Sequence, residues 1–266
     1  YREALMKDTE DLQKELFDEI VGRIKQDDAS VPYRKNGYFY YSRYEEGKEY
    51  PIYCRKKGSL EAEEEILADV RERGDAALCE YTERFDRLKI DATTLEVSTA
   101  EIEQALAAVD HDTLATLQLA ADRIATFHRR QKEETWLTDD EPDIRLGQMV
   151  TPLDRIGIYV PGGKAVYPSS VIMNAIPASV VEVPEIVMVT PPGFDGEVSP
   201  YLLVAAQEIG VTEIYKVGSA WAVAALAYGT PTIPAVDVIV GPGNQYVAEA
   251  KRQVAGVVRI DMIAGP

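Results

Sequence analysis

Between residues 156 and 260, apolar strands alternate with helical segments, and this alternation is what most limits how the chain can fold. The predicted strands are 156–160, 186–190, 214–217, 236–240 and 257–260. The predicted helices between them are 171–181, 200–209, 220–228 and 245–254. Strands that are apolar throughout are buried on both faces, as in a parallel sheet covered by helices. We therefore predict an α/β fold, and we expect Pro177 to kink the first of these helices or end it early.

The first half of the chain has a different character. Apolar residues at helical spacing predict an amphipathic helix within the first 24 residues. Eight of the 15 tyrosines precede residue 68, and they flank Glu45-Glu46-Gly47-Lys48, a sequence typical of a hairpin turn. Helices are predicted at 63–73, 75–85, 100–109 and 112–130, and a polar loop or short strand at 136–148. We expect three domains, comprising residues 1–67, 68–155 and 156–266.

Charge and cysteine content exclude several classes of protein. The formal net charge of −17 argues against nucleic acid or an anionic membrane surface as a partner. The long apolar stretch at 221–228 is far short of the ~20 residues that a membrane span needs. The charged start predicts no signal peptide, and two cysteines give no disulfide framework, so a reducing, cytoplasmic setting is expected.

Two glycine turns follow predicted strands and precede predicted helices. They are Pro161-Gly162-Gly163, directly after Tyr159, and Gly241-Pro242-Gly243-Asn244. Both fall on the carboxyl edge of the predicted sheet, where α/β proteins bind ligands. In the first case we expect Ser169 and Ser170 to cap the following helix, so that a ligand sits over its N-terminus. The alternative is that both turns are ordinary tight connections, since neither a G-x-G-x-x-G nor a P-loop sequence is present.

The residues offer no metal site and no catalytic set. The only histidines, His111 and His128, lie in predicted helices, and zinc usually needs three or four ligands. We expect Cys54 and Cys79 to be incidental, and no Ser/His/Asp triad can be assembled. Three further residues have structural interpretations: capping or packing for Asp237 and Asp261, and helix packing for Trp221.

From about residue 68 onwards the chain resembles histidinol dehydrogenases. The matching stretches are ADVRERGDAAL, EYTERFDR, PLDRIGIYVPGGKAVYPSSVIMNAIPA, EIVMVTPP, IYKVGSAWAVAALAYGT, VDVIVGPGNQYVAEAKRQV and IDMIAGP. The resemblance implies Rossmann-like domains without the usual glycine fingerprint. It also implies a cytoplasmic, zinc-dependent homodimer that uses NAD to oxidise L-histidinol to L-histidine.

The resemblance assigns cofactor contacts to three positions. Tyr159 and Asn244 match two NAD contacts of the family, whereas Trp221 stands where the family has a glutamine. An indole with a single donor replaces an amide there, and weaker cofactor binding is expected. The family's zinc ligands and its glutamate–histidine acid/base pair follow the A-G-P segment that here is Ala264-Gly265-Pro266. We therefore expect this polypeptide to be catalytically inactive; the alternative is a non-catalytic nucleotide-binding or scaffold fragment.

The tyrosine-rich start resembles a different family. The stretch VGRIKQDDASVPYRKNGYFYYSRYEEGKEYPIYCRKKGSL is similar to the N-terminal region of oligopeptidase B, a serine peptidase of the prolyl oligopeptidase type. That resemblance implies the first strands of a β-propeller, without the peptidase's catalytic residues. The two resemblances meet near residues 65–70, so the chain is interpreted as a fusion of two enzyme fragments.

Overall fold

The alternating strands and helices predicted after residue 156 are present in the computed structural model. The structure describes residues 32–35, 38–43, 52–57, 64–141, 143–162 and 166–262. The chain divides into two compact units, residues 1–66 and residues 67–266. We describe each unit by itself.

The first unit contains a four-stranded antiparallel sheet in the order β1-β2-β3-β4. The strands are β1 (Tyr33–Lys35), β2 (Tyr38–Arg43), β3 (Ile52–Lys57) and β4 (Glu64–Ile66). Strands β2 and β3 form the predicted tyrosine-rich hairpin, although its predicted turn and the predicted N-terminal helix lie outside the described residues. The helix predicted from residue 63 is wrong in its first residues, because Glu64–Ile66 pairs with β3 as a strand.

Helices dominate the second unit up to residue 130. They are α1 (Leu67–Arg73), α2 (Asp75–Tyr81), α3 (Thr99–Ala108) and α4 (His111–Arg129). A π-helical turn, Thr82–Asp86, extends α2. Ser98 and Glu101 form a capping box at the start of α3, in which each side chain accepts the other residue's backbone N–H. Residues 136–148, predicted as a loop or short strand, form an exposed antiparallel hairpin of β5 (Trp136–Glu141) and β6 (Ile144–Gln148).

The rest of the second unit is a five-stranded parallel sheet in the order β11-β10-β7-β8-β9. Its strands are β7 (Arg155–Tyr159), β8 (Glu185–Val189), β9 (Glu213–Tyr215), β10 (Val238–Val240) and β11 (Arg259–Ile260). The helices between them are α5 (Pro168–Val180), α6 (Pro200–Ile209), α7 (Ser219–Tyr228) and α8 (Gln245–Val254). This strand order is that of a doubly wound, Rossmann-like sheet, as predicted.

Each face of the sheet buries its own hydrophobic cluster. Ile156 and Ile158 of β7 pack with α3, α4, α5 and α6, whereas Tyr159 packs on the opposite face with α1, α2, α7 and α8. Between them, Gly157 allows close packing, because a Cβ there would lie 2.9 Å from Leu226 of α7. The early helices therefore complete both faces of the sheet.

Two details of α5 differ from the expectation. The helix begins with Pro168 at its first position, and Tyr167 provides the N-cap without a side-chain hydrogen bond, so Ser169 and Ser170 lie inside the first turn. Proline favours this position because its missing N–H has no partner there. The helix also continues past Pro177 to Val180, so the expected early end is wrong, whereas the alternative of a kink stays a prediction. The carbonyl that proline leaves without a partner is that of Met173, which lies on the exposed side of the helix and can bond to water.

Candidate functional site

The two glycine turns follow neighbouring strands, β7 and β10, at the point where the strand order of the parallel sheet reverses. Strand β7 lies between β8, which follows it along the chain, and β10, which starts the second half of the sheet. The turn at Gly162 follows β7 and the turn at Gly241 follows β10, so both lie at the carboxyl edge. A Cβ on Gly241 would lie only 2.2 Å from the main-chain oxygen of Tyr159, so the second turn packs directly against the end of β7. Doubly wound proteins bind ligands at such a switch point.

Tyr159 ends β7, and its side chain is buried, with 3% of its surface exposed. Its hydroxyl oxygen accepts the backbone N–H of Ser219 at 3.1 Å. Burial is the main cause that raises the pKa of Tyr159 to about 12; the Ser219 N–H opposes this rise and the nearby Asp86 carboxylate adds to it. The phenol is therefore neutral throughout the physiological range and links β7 to the start of α7.

Ser219 and Asp86 lie around this hydroxyl, and the sequence did not single out either residue. Ser219 opens α7 with a φ of 55°, a left-handed conformation that a non-glycine residue adopts only under strain. Desolvation raises the pKa of Asp86, and one of its carboxylate oxygens is buried without a partner in the described part of the chain. Asp86 is the last residue of a π-helical turn. The sequence did not predict that turn, so only the fold shows that Asp86 lies near the Tyr159 hydroxyl.

Asn244 is exposed and forms the N-cap of α8. Its side-chain oxygen accepts the backbone N–H groups of Tyr246 at 2.9 Å and Val247 at 3.1 Å. This capping bond fixes which end of the amide faces the helix, because only the oxygen can accept. The amide NH₂ group therefore points away from the helix and is available as a donor at the rim of the switch point.

Trp221 lies in the first turn of α7 with 8% of its surface exposed. Its indole N–H donates to the hydroxyl oxygen of Thr82 at 3.2 Å, and its ring stacks on Phe85 with centroids 5.5 Å apart. The single polar group of the indole is therefore engaged by the π-helical turn, and its packing interpretation is confirmed.

The fold separates the residues that could bind a metal. His111 and His128 lie at opposite ends of α4, and the His111 side chain is 93% exposed. Within the described residues, no group of three or more histidine, cysteine, aspartate or glutamate side chains could hold a metal ion. These residues do not fit a zinc site. The same described part contains no helix with the length and apolarity that crossing a membrane requires.

Two family models match the chain, and they overlap. The model for histidinol dehydrogenase matches residues 55–266. The model for the N-terminal β-propeller domain of prolyl oligopeptidase matches residues 1–77. The overlap covers the boundary between the two structural units.

The similar relatives and the similar solved structure described next are histidinol dehydrogenases. The chain is 64% identical over 210 residues to histidinol dehydrogenase from Syntrophotalea carbinolica, which covers 79% of this chain and 48% of the relative. It is 63% identical over 204 residues to the Geobacter sulfurreducens enzyme, covering 76% and 47%. The crystal structure of histidinol dehydrogenase from Elizabethkingia anophelis superimposes with a TM-score of 0.71 at 39% identity, covering 75% of this chain and 46% of that one. The chain thus spans about half the length of the curated relatives it matches.

Proposed function

This chain belongs to the histidinol dehydrogenase family, and from that membership we propose that its parallel sheet binds NAD across the switch point between β7 and β10. The observation that carries the proposal is that two glycine turns follow neighbouring parallel strands where the strand order reverses, and that Gly241 packs against the end of β7. Dinucleotides bind at that place in doubly wound folds. The reaction to which this site would contribute in the proposal is the four-electron oxidation of L-histidinol to L-histidine through the aldehyde, in which NAD would supply the acceptor for one hydride in each of two steps.

Asn244 is the direct cofactor contact in this proposal. Its oxygen caps α8 and its NH₂ group faces outward, so it can donate a hydrogen bond to a cofactor oxygen without loss of the cap. Tyr159 acts indirectly: its buried hydroxyl accepts the backbone N–H of Ser219 and so holds the start of α7 next to the end of β7. Both residues match NAD contacts of the family.

In the proposal, Trp221 packs beside the cofactor site and makes no polar contact with the cofactor. Its N–H already donates to the Thr82 hydroxyl and its ring stacks on Phe85, so it does not replace the hydrogen bonds of the glutamine that the family has there. We expect weaker NAD binding than in a relative with glutamine at this position.

The 266-residue polypeptide is expected to bind NAD without oxidising histidinol. General acid/base catalysis needs a group within hydrogen-bond reach of the reacting atom, and the proposal assigns that role to none of the described residues. A cytoplasmic homodimer belongs to the same proposal, on family membership alone. For zinc, the described residues supply no ligand set, so no step is assigned to it.

Titration of the purified chain with NAD tests the proposal. Calorimetry should show saturable binding, and Asn244→Ala should weaken it. Asn244→Ser is the matched control for the helix cap, since serine retains a capping oxygen but lacks the outward amide. We expect Asn244→Ser to keep the stability of α8 and still bind NAD more weakly. Absence of saturable binding in the unmodified chain would contradict the proposed NAD site. NADH formation from histidinol at the rate of a complete enzyme would contradict the expected inactivity.

A further inference from the structure

Lys251 is buried to an unusual degree for a lysine, with 1% of its surface exposed. It lies in the last turn of α8, and its ammonium group donates to the main-chain oxygen of Gly241 at 3.0 Å. It also forms an ion pair with the carboxylate of Asp261. A lysine almost never becomes fully buried unless it is paired in this way. The burial of Lys251 therefore depends on its two partners, Gly241 and Asp261.

Asp261 follows β11 and completes the connection to the glycine turn. Its carboxylate accepts the backbone N–H of Gly241 at 2.9 Å and that of Met262 at 2.6 Å. Both main-chain polar groups of Gly241 are therefore bonded to one ion pair, the carbonyl to Lys251 and the N–H to Asp261. Charge-assisted hydrogen bonds of this kind are stronger than neutral ones and fix geometry more tightly.

Gly241 is the residue through which this ion pair can act on the site. Its φ of 108° is open to glycine, and its backbone packs against the main-chain oxygen of Tyr159. Gly241 begins the four-residue turn that ends in Asn244, the cap of α8. Fixing Gly241 from two sides therefore sets where Asn244 lies relative to the end of β7.

We propose that Lys251 and Asp261 are positioning residues that hold the Gly241 turn in the geometry needed for cofactor binding. The inference rests on the proposed NAD site and deepens it. Neither residue touches the cofactor in this proposal; each acts through Gly241. A merely structural ion pair would change stability without changing the affinity of the folded protein.

The test compares Lys251→Met with Arg155→Met. Arg155 is a buried cation at the amino end of β7, on the opposite edge of the sheet, and its ion pairs with Glu185 and Glu213 do not involve a glycine turn. We expect Lys251→Met to raise the NAD dissociation constant about tenfold or more at a temperature where both variants are folded. Arg155→Met should lower the urea midpoint but leave the dissociation constant within about twofold of the unmodified value. Equal dissociation constants for Lys251→Met and the unmodified chain, or equal increases in both variants, would overturn the inference.

Hydrogen–deuterium exchange over residues 238–250 provides a readout that does not depend on NAD. Exchange in this segment should accelerate in Lys251→Met and remain unchanged in Arg155→Met. If the unmodified chain binds no NAD, the proposed function fails, and exchange alone decides whether Lys251 fixes the turn. If Lys251→Met does not fold, Asp261→Asn is the second variant. It removes the negative charge of the ion pair, while its amide oxygen can still accept the Gly241 N–H. Unchanged exchange in that folded variant would also overturn the inference.

Discussion

Replacing Gly241 by alanine should destabilise the second unit more than the same change at another glycine of nearly equal φ. Gly241 has a φ of 108° and Gly256 a φ of 101°. A Cβ at Gly241 would lie 2.2 Å from the Tyr159 main-chain oxygen, whereas a Cβ at Gly256 meets nothing within 4 Å. Both variants pay the left-handed backbone penalty of about 1–2 kcal/mol. Only Gly241→Ala also adds a steric overlap, which costs about a further 1–3 kcal/mol in a packed region.

The difference can be measured by urea unfolding followed through tryptophan fluorescence. The chain has two tryptophans, and Trp136 is 54% exposed whereas Trp221 is buried in the second unit. A Trp136→Phe background leaves Trp221 as the single reporter of the sheet. With a slope of about 3 kcal/mol per molar urea, the two midpoints should differ by about 0.3–1 M.

Equal midpoints for Gly241→Ala and Gly256→Ala would refute the reasoning. That result would mean that the turn after β10 does not press against the end of β7. Gly241 would then not lie against Tyr159 as the proposed site requires. A changed slope in only one variant calls for comparing free energies of unfolding rather than midpoints.

Two further predictions concern the helix cap and the effect of acid. Ser98→Ala should lower the free energy of unfolding in urea by about 1 kcal/mol, because it removes the capping box with Glu101. Ser199 is an N-cap whose side chain makes no capping bond, so Ser199→Ala should lower it by less than about 0.5 kcal/mol. Equal losses would contradict the capping argument. Burial raises the pKa of Glu213, but hydrogen bonds from Arg155 and Tyr215 outweigh it and leave this pKa below its ordinary value of 4.5. A lowered pKa gives stability that is present above the ordinary value and is lost as the pH falls through the folded value. Urea midpoints between about pH 5 and pH 3 should therefore fall less steeply in Arg155→Met than in the unmodified chain, and parallel curves would contradict this.

The sequence predicted the order of strands and helices well because apolar runs and glycine breaks are local signals. The helix predicted at 200–209, for example, has the same bounds as α6, and Gly210 ends it in the left-handed conformation. Strand ends were less accurate where tertiary contacts decide them. The strand predicted at 236–240 begins at Val238, because the Val236 N–H bonds to Leu226 of α7 and the Asp237 carboxylate accepts the Asp154 and Arg155 N–H groups.

The candidate site was only partly predictable. Both glycine turns could be placed on the carboxyl edge, but their adjacency depends on β10 pairing with β7, a contact between residues far apart in the chain. Lys251 stands next to Arg252 in a polar helical stretch, which is typical of a solvated surface. Its burial follows from Asp261 on another strand, and periodicity alone does not reveal that partner.

The central position of β7 has a consequence for the protein while it is being made. Its neighbour β8 begins at Glu185, 30 residues after Arg155. In contrast, Asp237, which leads into β10, comes 82 residues after Arg155. At a translation rate of about 5–20 residues per second, β10 is synthesised roughly 4–16 s after β7. During that interval an apolar strand has one unpaired side, which is the state most open to pairing with another nascent chain. The arrangement that brings the two glycine turns together therefore also makes the completion of the sheet the step at which a chaperone would be most useful.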